Sequence, residues 1–210
     1  MQNLCPLCNN TSSLFHKSNN HAHYQCQTCF GIFVATDSRP SEEDEVKHYQ
    51  QHQNNIEDKG YQNFVSPITD SILRDFNTKH KGLDFGAGTG PVLSKMLRDK
   101  GYSVFTYDPY FHNYPKLLQE KYDYIGSCEV IEHFYHPHKE FTLLKNLLHP
   151  KGKLYCMTHV YNESIPFSNW YYKNDPTHVF IYQKQTLEWI GKEFGFSKVE
   201  IDNRLIIFSI

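Results

Sequence analysis

The stretch Gly82-Leu-Asp-Phe-Gly-Ala-Gly-Thr-Gly90, followed by Pro91-Val-Leu-Ser-Lys-Met-Leu-Arg-Asp-Lys-Gly101, reads as strand, glycine turn, helix and glycine C-cap. Glycines at 86, 88 and 90 let the backbone bend sharply and approach a ligand that a Cβ would hold off. A second strand, Tyr102-Ser-Val-Phe-Thr-Tyr107, ends in Asp108, an acidic residue placed to take both hydroxyls of a ribose. Together they predict a nucleotide-type site at the carboxyl end of a parallel sheet.

Outward from this unit the alternation continues. Ser66-Pro-Ile-Thr-Asp reads as an N-cap with Pro at the first helical position, and Ile68, Ile72, Leu73 and Phe76 recur at helical spacing. Downstream the order is strand Tyr122–Ile125, helix from about Lys139 to Leu148, a Pro150-Lys-Gly152 turn, strand Lys153–Met157 and helix Lys184–Phe194, then strands near Phe196–Ile201 and Leu205–Ile210. Alternating strands and helices imply an α/β fold with a mostly parallel doubly wound sheet.

Here the sequence resembles the class I S-adenosylmethionine (SAM) methyltransferases, over residues 66–210. Leu83-Asp-Phe-Gly-Ala-Gly-Thr-Gly90 is similar to their first motif, with an acidic Asp84 where dinucleotide dehydrogenases carry an apolar residue. The resemblance implies that Asp84, Gly86, Gly88 and Gly90 line the methionine and sugar end of SAM, and that Asp108 holds the ribose. It also implies a Rossmann-like sheet with a shortened edge. Only fourteen residues separate Asp108 from Asp123, too few for the helix, third strand and further helix the family inserts there.

Ser127-Cys-Glu-Val-Ile-Glu-His-Phe134 follows the next strand. Read as one helical turn, it puts Glu129, Glu132 and His133 on one face, two carboxylates and an imidazole suited to general-base or metal chemistry. The segment resembles one in ubiquinone-pathway O-methyltransferases and small-RNA 3′-terminal 2′-O-methyltransferases, where it binds a divalent metal. In the RNA enzymes a further His comes before the late helix, and Asp175-Pro-Thr-His178-Val-Phe matches that place. The resemblance therefore implies Glu132, His133 and His178 at the reaction centre, Glu129 near SAM, and a second divalent metal on Glu129, Glu132, His133 and His178. Many small-molecule methyltransferases carry a similar Glu-His without metal, so both readings stand at this point. His159-Val-Tyr161 and Asn169-Trp-Tyr-Tyr172 lie where such enzymes build acceptor pockets, as stacking surface or as core.

The amino-terminal part needs its own account. Cys5-Pro-Leu-Cys8 and Cys26-Gln-Thr-Cys29 have the spacing of a four-thiolate zinc ribbon, and the few apolar groups between them leave the folding energy to the metal. Two disulfides are disfavoured in a reducing compartment, and a redox pair needs only one copy. Residues 1–30 hold one Lys and no Arg, poor equipment for phosphate, so docking a protein partner or capping the fold suits the ribbon better than reading RNA. Cys128 and Cys156 read as small core residues. Ser38-Arg-Pro-Ser-Glu-Glu-Asp-Glu45 reads as an exposed acidic connection, and Asp58-Lys-Gly-Tyr61 as a turn with no role for Glu57 or Asp58. The expected organisation is a zinc ribbon over 1–36, a linker with a lid over 37–65 and a SAM-binding domain over 66–210.

The 210 residues carry 21 Lys+Arg against 23 Asp+Glu, so no global field draws the chain onto nucleic acid or an anionic membrane. No apolar run approaches the roughly 20 residues that span a bilayer, and the start lacks signal-peptide character, which predicts a cytoplasmic protein. A SAM-dependent methyltransferase acting on an O, N or C acceptor of a small molecule is the leading expectation. A metal-assisted RNA 2′-O-methyltransferase and a non-catalytic module docking a partner through its ribbon are the alternatives. An NAD-dependent oxidoreductase ranks last, because it has no need of the Glu-x-x-Glu-His cluster.

Overall fold

The computed structural model describes residues 3–18, 21–51 and 55–210. Its main body is a six-stranded sheet in the order β5-β4-β6-β7-β10-β9, formed by β4 (Lys81–Phe85), β5 (Ser103–Tyr107), β6 (Tyr122–Cys128), β7 (Leu148–Met157), β9 (Lys198–Asp202) and β10 (Leu205–Ser209). β5, β4, β6 and β7 run parallel, while β10 is antiparallel to both β7 and β9. The central strands alternate between two buried faces: Leu154 and Cys156 of β7 enter one core, Tyr155 and Met157 the other. α2 (Lys59–Asp75) and α3 (Val92–Arg98) cover the second face through Ile68, Ile72, Leu93 and Leu97. On the first face lie α4 (Pro137–Asn146) and α5 (Lys184–Glu193), with Phe141, Leu144, Leu187 and Ile190.

β5 stands at the sheet edge, and the chain crosses to β6 through a bridge at Asp108 and His112 and a short 3-10 helix, Pro115–Gln119. The edge is short because fourteen residues hold no further strand. Among the described residues no helix is long and apolar enough to cross a membrane.

A second sheet, β1-β2-β3-β8, is antiparallel throughout. It joins β1 (Ser12–Lys17), β2 (Ala22–Cys26) and β3 (Ile32–Val34) to β8 (Phe180–Ile181) from the far end of the chain. The cysteine-bearing segment thus shares a sheet with the connection after β7 and packs into the main core through Cys5, Leu7, Cys26 and Cys29.

Several local expectations are corrected between residues 38 and 76. The acidic run is exposed from Ser41 to Asp44 as expected, but it is helical rather than an irregular connection. It opens α1 (Glu42–Gln50), whose N-cap Ser41 accepts from the Asp44 amide and whose first turn holds four acidic residues at the positive end of the helix dipole. Asp58-Lys-Gly-Tyr61 is likewise not a turn. α2 starts there, with Asp58 as N-cap accepting from the Tyr61 amide at 2.8 Å, so Ser66-Pro67 lies mid-helix. Pro67 is tolerated because the Ser66 hydroxyl donates to the Asn63 carbonyl, which the proline cannot reach. Segment 37–65 therefore holds α1 and the start of α2, apart from residues 52–54, which lie outside the described residues. The Pro150-Lys-Gly152 turn is instead part of a longer β7, with Lys151 in the left-handed region at φ 68°.

Candidate active site

A cavity of about 1120 Å³ opens at the carboxyl ends of β4, β5 and β6, a little above what small-molecule sites usually offer, roughly 300–1,000 Å³. One wall is the glycine turn. Gly86 and Gly88 have φ of 77° and 61°, and a Cβ on Gly86 would stand 2.5 Å from the Val130 side chain, so the turn requires glycine. Asp108 Oδ2 accepts from the Gly88 amide at 2.9 Å and Oδ1 from the amides of Tyr110 and Phe111, which locks the turn to the end of β5. A carboxylate has about four acceptor positions, so Asp108 keeps capacity toward the cavity it lines.

Two residues of the motif have a different place. Asp84 is buried and does not line the cavity; its Oδ2 accepts from the Ser94 amide and hydroxyl, tying the first turn of α3 to β4. Burial, offset by these two bonds, leaves its carboxyl raised to about 6. Gly90 is also set back from the cavity.

The opposite wall begins where β6 ends. Glu129, Glu132 and His133 do not occupy one helical turn: Glu129 is left-handed, at φ 52°, and Ile131–His133 form a 3-10 turn. Glu129 therefore swings away, accepting from Arg204 at 2.8 Å, with its Oε2 3.2 Å from the Tyr172 hydroxyl oxygen. Burial and the neighbouring Glu132 raise its carboxyl to about 7 against the opposing pull of Arg204. Glu132 and His133 instead meet His178, with one ligand atom from each within 4.8 Å of the others.

The tautomers of this triad are legible from its partners. His133 Nδ1 donates to the Thr177 carbonyl at 2.9 Å and His178 Nδ1 to the Tyr172 carbonyl at 2.7 Å, which leaves both Nε2 atoms as acceptors. Glu132 is fully buried. Its Oε1 accepts from the Tyr172 hydroxyl, and its Oε2 has no protein partner. Burial raises the Glu132 carboxyl and lowers the His178 imidazole. A carboxylate oxygen without a protein partner and two imidazoles, with one ligand atom from each within 4.8 Å of the others, are a donor set that fits a divalent cation of the magnesium, manganese or zinc kind.

A roof closes over both walls. Glu45, His48 and Tyr49 of α1 and Tyr61 and Phe64 of α2 line the cavity from above. Tyr49 packs edge-on against His133 with ring centroids 5.3 Å apart and donates to Glu45 at 2.6 Å, while Tyr110 reaches the same carboxylate at 3.4 Å. Nothing in the sequence pattern marked Glu45, Tyr49 or Arg204, since each reaches the site from an amphipathic helix or a hairpin rather than from a motif. Of the aromatic connection, His159, Tyr171 and Tyr172 line the cavity, whereas Tyr161 and Trp170 fill a small core with Phe167. Cys156 is buried in the core as expected, but Cys128 lines the cavity.

In the amino-terminal segment the four sulfurs of Cys5, Cys8, Cys26 and Cys29 lie within 4.8 Å of one another. The pairs Cys5–Cys29 and Cys8–Cys26 are 3.5 and 3.3 Å apart, far longer than a disulfide bond. Tetrahedral zinc at about 2.3 Å from each thiolate asks for sulfurs about 3.8 Å apart, close to this arrangement. The amides of Thr28 and Cys29 point at the Cys26 sulfur at 3.3 and 3.5 Å.

A family model described as a methyltransferase domain matches residues 49–201. Among solved structures, a SAM-dependent methyltransferase from Archaeoglobus fulgidus superposes with a TM-score of 0.56 at 16% identity, covering 71% of this chain and 94% of that one. A complex of the Haloferax volcanii Trm112 methyltransferase activator with a methyltransferase gives 0.59 at 15% identity, covering 80% and 97%. Haemonchus contortus phosphoethanolamine N-methyltransferase 2, bound to SAM, gives 0.51 at 20% identity over 65% of this chain. The chain spans 38% of that enzyme's length. At these identities the likeness is one of fold. No curated protein matches the sequence.

Proposed function

The chain belongs to the methyltransferase domain family, its main body has the fold of a SAM-dependent methyltransferase, and from this we propose that it moves a methyl group from SAM to a small-molecule acceptor held at Glu132, His133 and His178. The observation that carries the reading is that His133 and His178 line the same cavity as the Gly86–Gly88 turn and Asp108, with the buried Glu132 meeting both from behind. Asp108 and the turn amides would take the ribose and the sugar end of SAM, and Glu129, held by Arg204, would face its methionine end. When bound, SAM supplies an electrophilic methyl, and a cation on the triad would lower the pKa of an acceptor hydroxyl.

The chain's own part is positioning, exclusion of water and management of one proton. Tyr172 holds Glu132 through its hydroxyl and His178 through its carbonyl, so a single residue orients two members of the triad. His133, oriented by Thr177, presents Nε2 to the acceptor as ligand or as proton acceptor. Tyr49, Tyr61 and Phe64 roof the reacting centre.

The charge of the cavity supports a small acceptor over RNA. Among the described residues, the charged groups lining the cavity other than histidines are five carboxylates, Glu45, Asp108, Glu129, Glu140 and Asp175, against Lys139 and Arg204, a poor surface for phosphates. We also assign a structural zinc ion to Cys5, Cys8, Cys26 and Cys29.

Calorimetric titration of the purified chain with SAM, with NAD and with Mn²⁺ tests this reading. SAM should bind at the micromolar level, NAD should not, and wild type should bind one Mn²⁺ that His178→Ala no longer holds. Folded protein that ignores SAM would overturn the activity. Mn²⁺ bound equally by wild type and His178→Ala would remove the second metal and leave His133 as a base. Zinc analysis should give about one ion per chain, lost in Cys26→Ser.

A further inference from the structure

The cysteine ribbon reaches the reaction centre through one residue. Val179 follows His178 directly; its amide donates to the Glu132 carbonyl at 3.0 Å, and its own carbonyl accepts from the Val34 amide of β3, also at 3.0 Å. A single peptide segment thus joins the ribbon, His178 and the turn that carries Glu132 and His133. β8, which follows, is two residues long and pairs with β3 through Ile32↔Ile181 and Phe33↔Phe180. A strand that short has no stability without its partner.

Side chains repeat the connection. The buried Phe180 ring stacks on Phe33 at 6.4 Å with an interplanar angle of 9°, and sits on Gly31 so closely that a Cβ there would come within 2.3 Å of it. The Gln183 amide donates to the Phe30 carbonyl at 2.7 Å. From β1, Phe15 packs edge-on against Phe167 at 5.1 Å; Phe167 meets Trp170, which meets Tyr172 at 5.3 Å. Tyr172 is the residue that holds both Glu132 and His178.

We propose that the ribbon is a positioning module for the methyl-acceptor site: through β3 and Val179 it fixes His178 against Glu132 and His133, so order at the four cysteines is required for order at the triad. The proposal rests on the zinc reading only for what holds the ribbon itself together. The glycine wall is locked by hydrogen bonds among residues 86–88 and 107–111, none of them from β1–β3, and keeps its geometry when the ribbon is disturbed. The ribbon then controls transfer without controlling SAM binding.

Hydrogen–deuterium exchange on the full-length chain, with SAM affinity and turnover measured in parallel, tests the coupling. Gly31→Ala leaves all four cysteines and the triad in place but pushes on Phe180. It should keep its zinc and bind SAM within about threefold of wild type, while exchange over residues 177–183 rises and turnover falls, each by about tenfold. Adding Phe180→Leu, which makes room for the new methyl, should restore both. Removing zinc with a chelator should likewise expose 177–183 before the strands β4–β7. Unchanged exchange and turnover in Gly31→Ala would overturn the proposal, as would loss of protection throughout the main sheet at the same time. Wild-type protein free of zinc would sink the zinc reading alone, because the Gly31→Ala comparison does not depend on it.

Discussion

The two walls of the cavity are built in opposite ways. The glycine wall is one continuous piece of chain, from β4 to the turn after Asp108, and its locking bonds run between residues 86–88 and 107–111. The facing wall is assembled from residues 129–136, the 172–178 segment, Arg204 and α1. The triad is oriented from one remote segment: Glu132 by the Tyr172 hydroxyl, His133 by the Thr177 carbonyl and His178 by the Tyr172 carbonyl. A continuous wall needs only local sequence and its own sheet, whereas the assembled wall is as well ordered as the least stable of its contributors. Binding of the common co-substrate and choice of acceptor are thereby separated, and the acceptor side is the one on which a change elsewhere in the fold can act.

The largest test of that separation is His133→Ala. It should lower methyl transfer by about 10²–10⁴-fold, the range of a positioned acid–base group, with SAM affinity unchanged by calorimetry. A fully active variant would show that the assembled wall does not carry the reaction. Asp108→Ala is the converse. It frees the amides of Gly88, Tyr110 and Phe111, and should weaken SAM by about 10–100-fold, the value of one or two charge-assisted bonds, leaving Mn²⁺ binding at the triad intact. Equal damage to both readouts would mean that the two walls are one unit.

The smallest effect lies outside both walls. Asp75 joins the end of α2 to β7, at 2.8 Å from Lys153 and 2.7 Å from the Tyr155 hydroxyl. Burial alone would raise its carboxyl, but Lys153, Tyr155 and Arg74 outweigh it and lower the pKa from 3.8 to about 2. The folded state thus binds this proton less readily than the unfolded chain. Its stabilisation is fully present above about pH 4 and disappears as the pH falls through 2. After allowance for solvent screening, Asp75→Asn should cost about 1–2 kcal/mol at pH 7 and flatten the acid limb of the stability curve. Thermal unfolding at pH 7 and pH 3 checks it, and a loss of SAM affinity greater than the loss of stability would place Asp75 in the site after all.

How far each wall was legible in the sequence follows from the same contrast. The glycine wall was readable because its signals are contiguous: apolar strand, glycines at positive φ, a helix start and an acidic strand end. Even there, Asp84 turned out to fasten α3 rather than to line the cavity, because a buried carboxylate beside a helix N-terminus is claimed by the nearest amide, that of Ser94. Glu132, His133 and His178 were named together through a family pattern, but the helical face on which the pattern was read does not exist. Glu129 takes a left-handed backbone and pairs with Arg204, a hairpin residue with no signal of its own. The acidic run before residue 46 looked like a linker because four carboxylates read as solvated charge. It is the N-terminal turn of the roof, and Glu45 is buried under Tyr49 and Tyr110.

By itself the sequence determined what local spacing can encode: the alternating α/β order, the glycine turn with Asp108, the shortened sheet edge and the grouping of four cysteines. Backbone conformation within a few residues is governed by sterics and capping, which the residues carry with them. Only the tertiary structure decided which side chains meet across the cavity, that α1 roofs it, and that the cysteine segment shares a sheet with the strand after His178. Those are long-range pairings, selected by burial of faces and satisfaction of buried polar groups over separations from 40 to 153 residues, and no local pattern of residues encodes them.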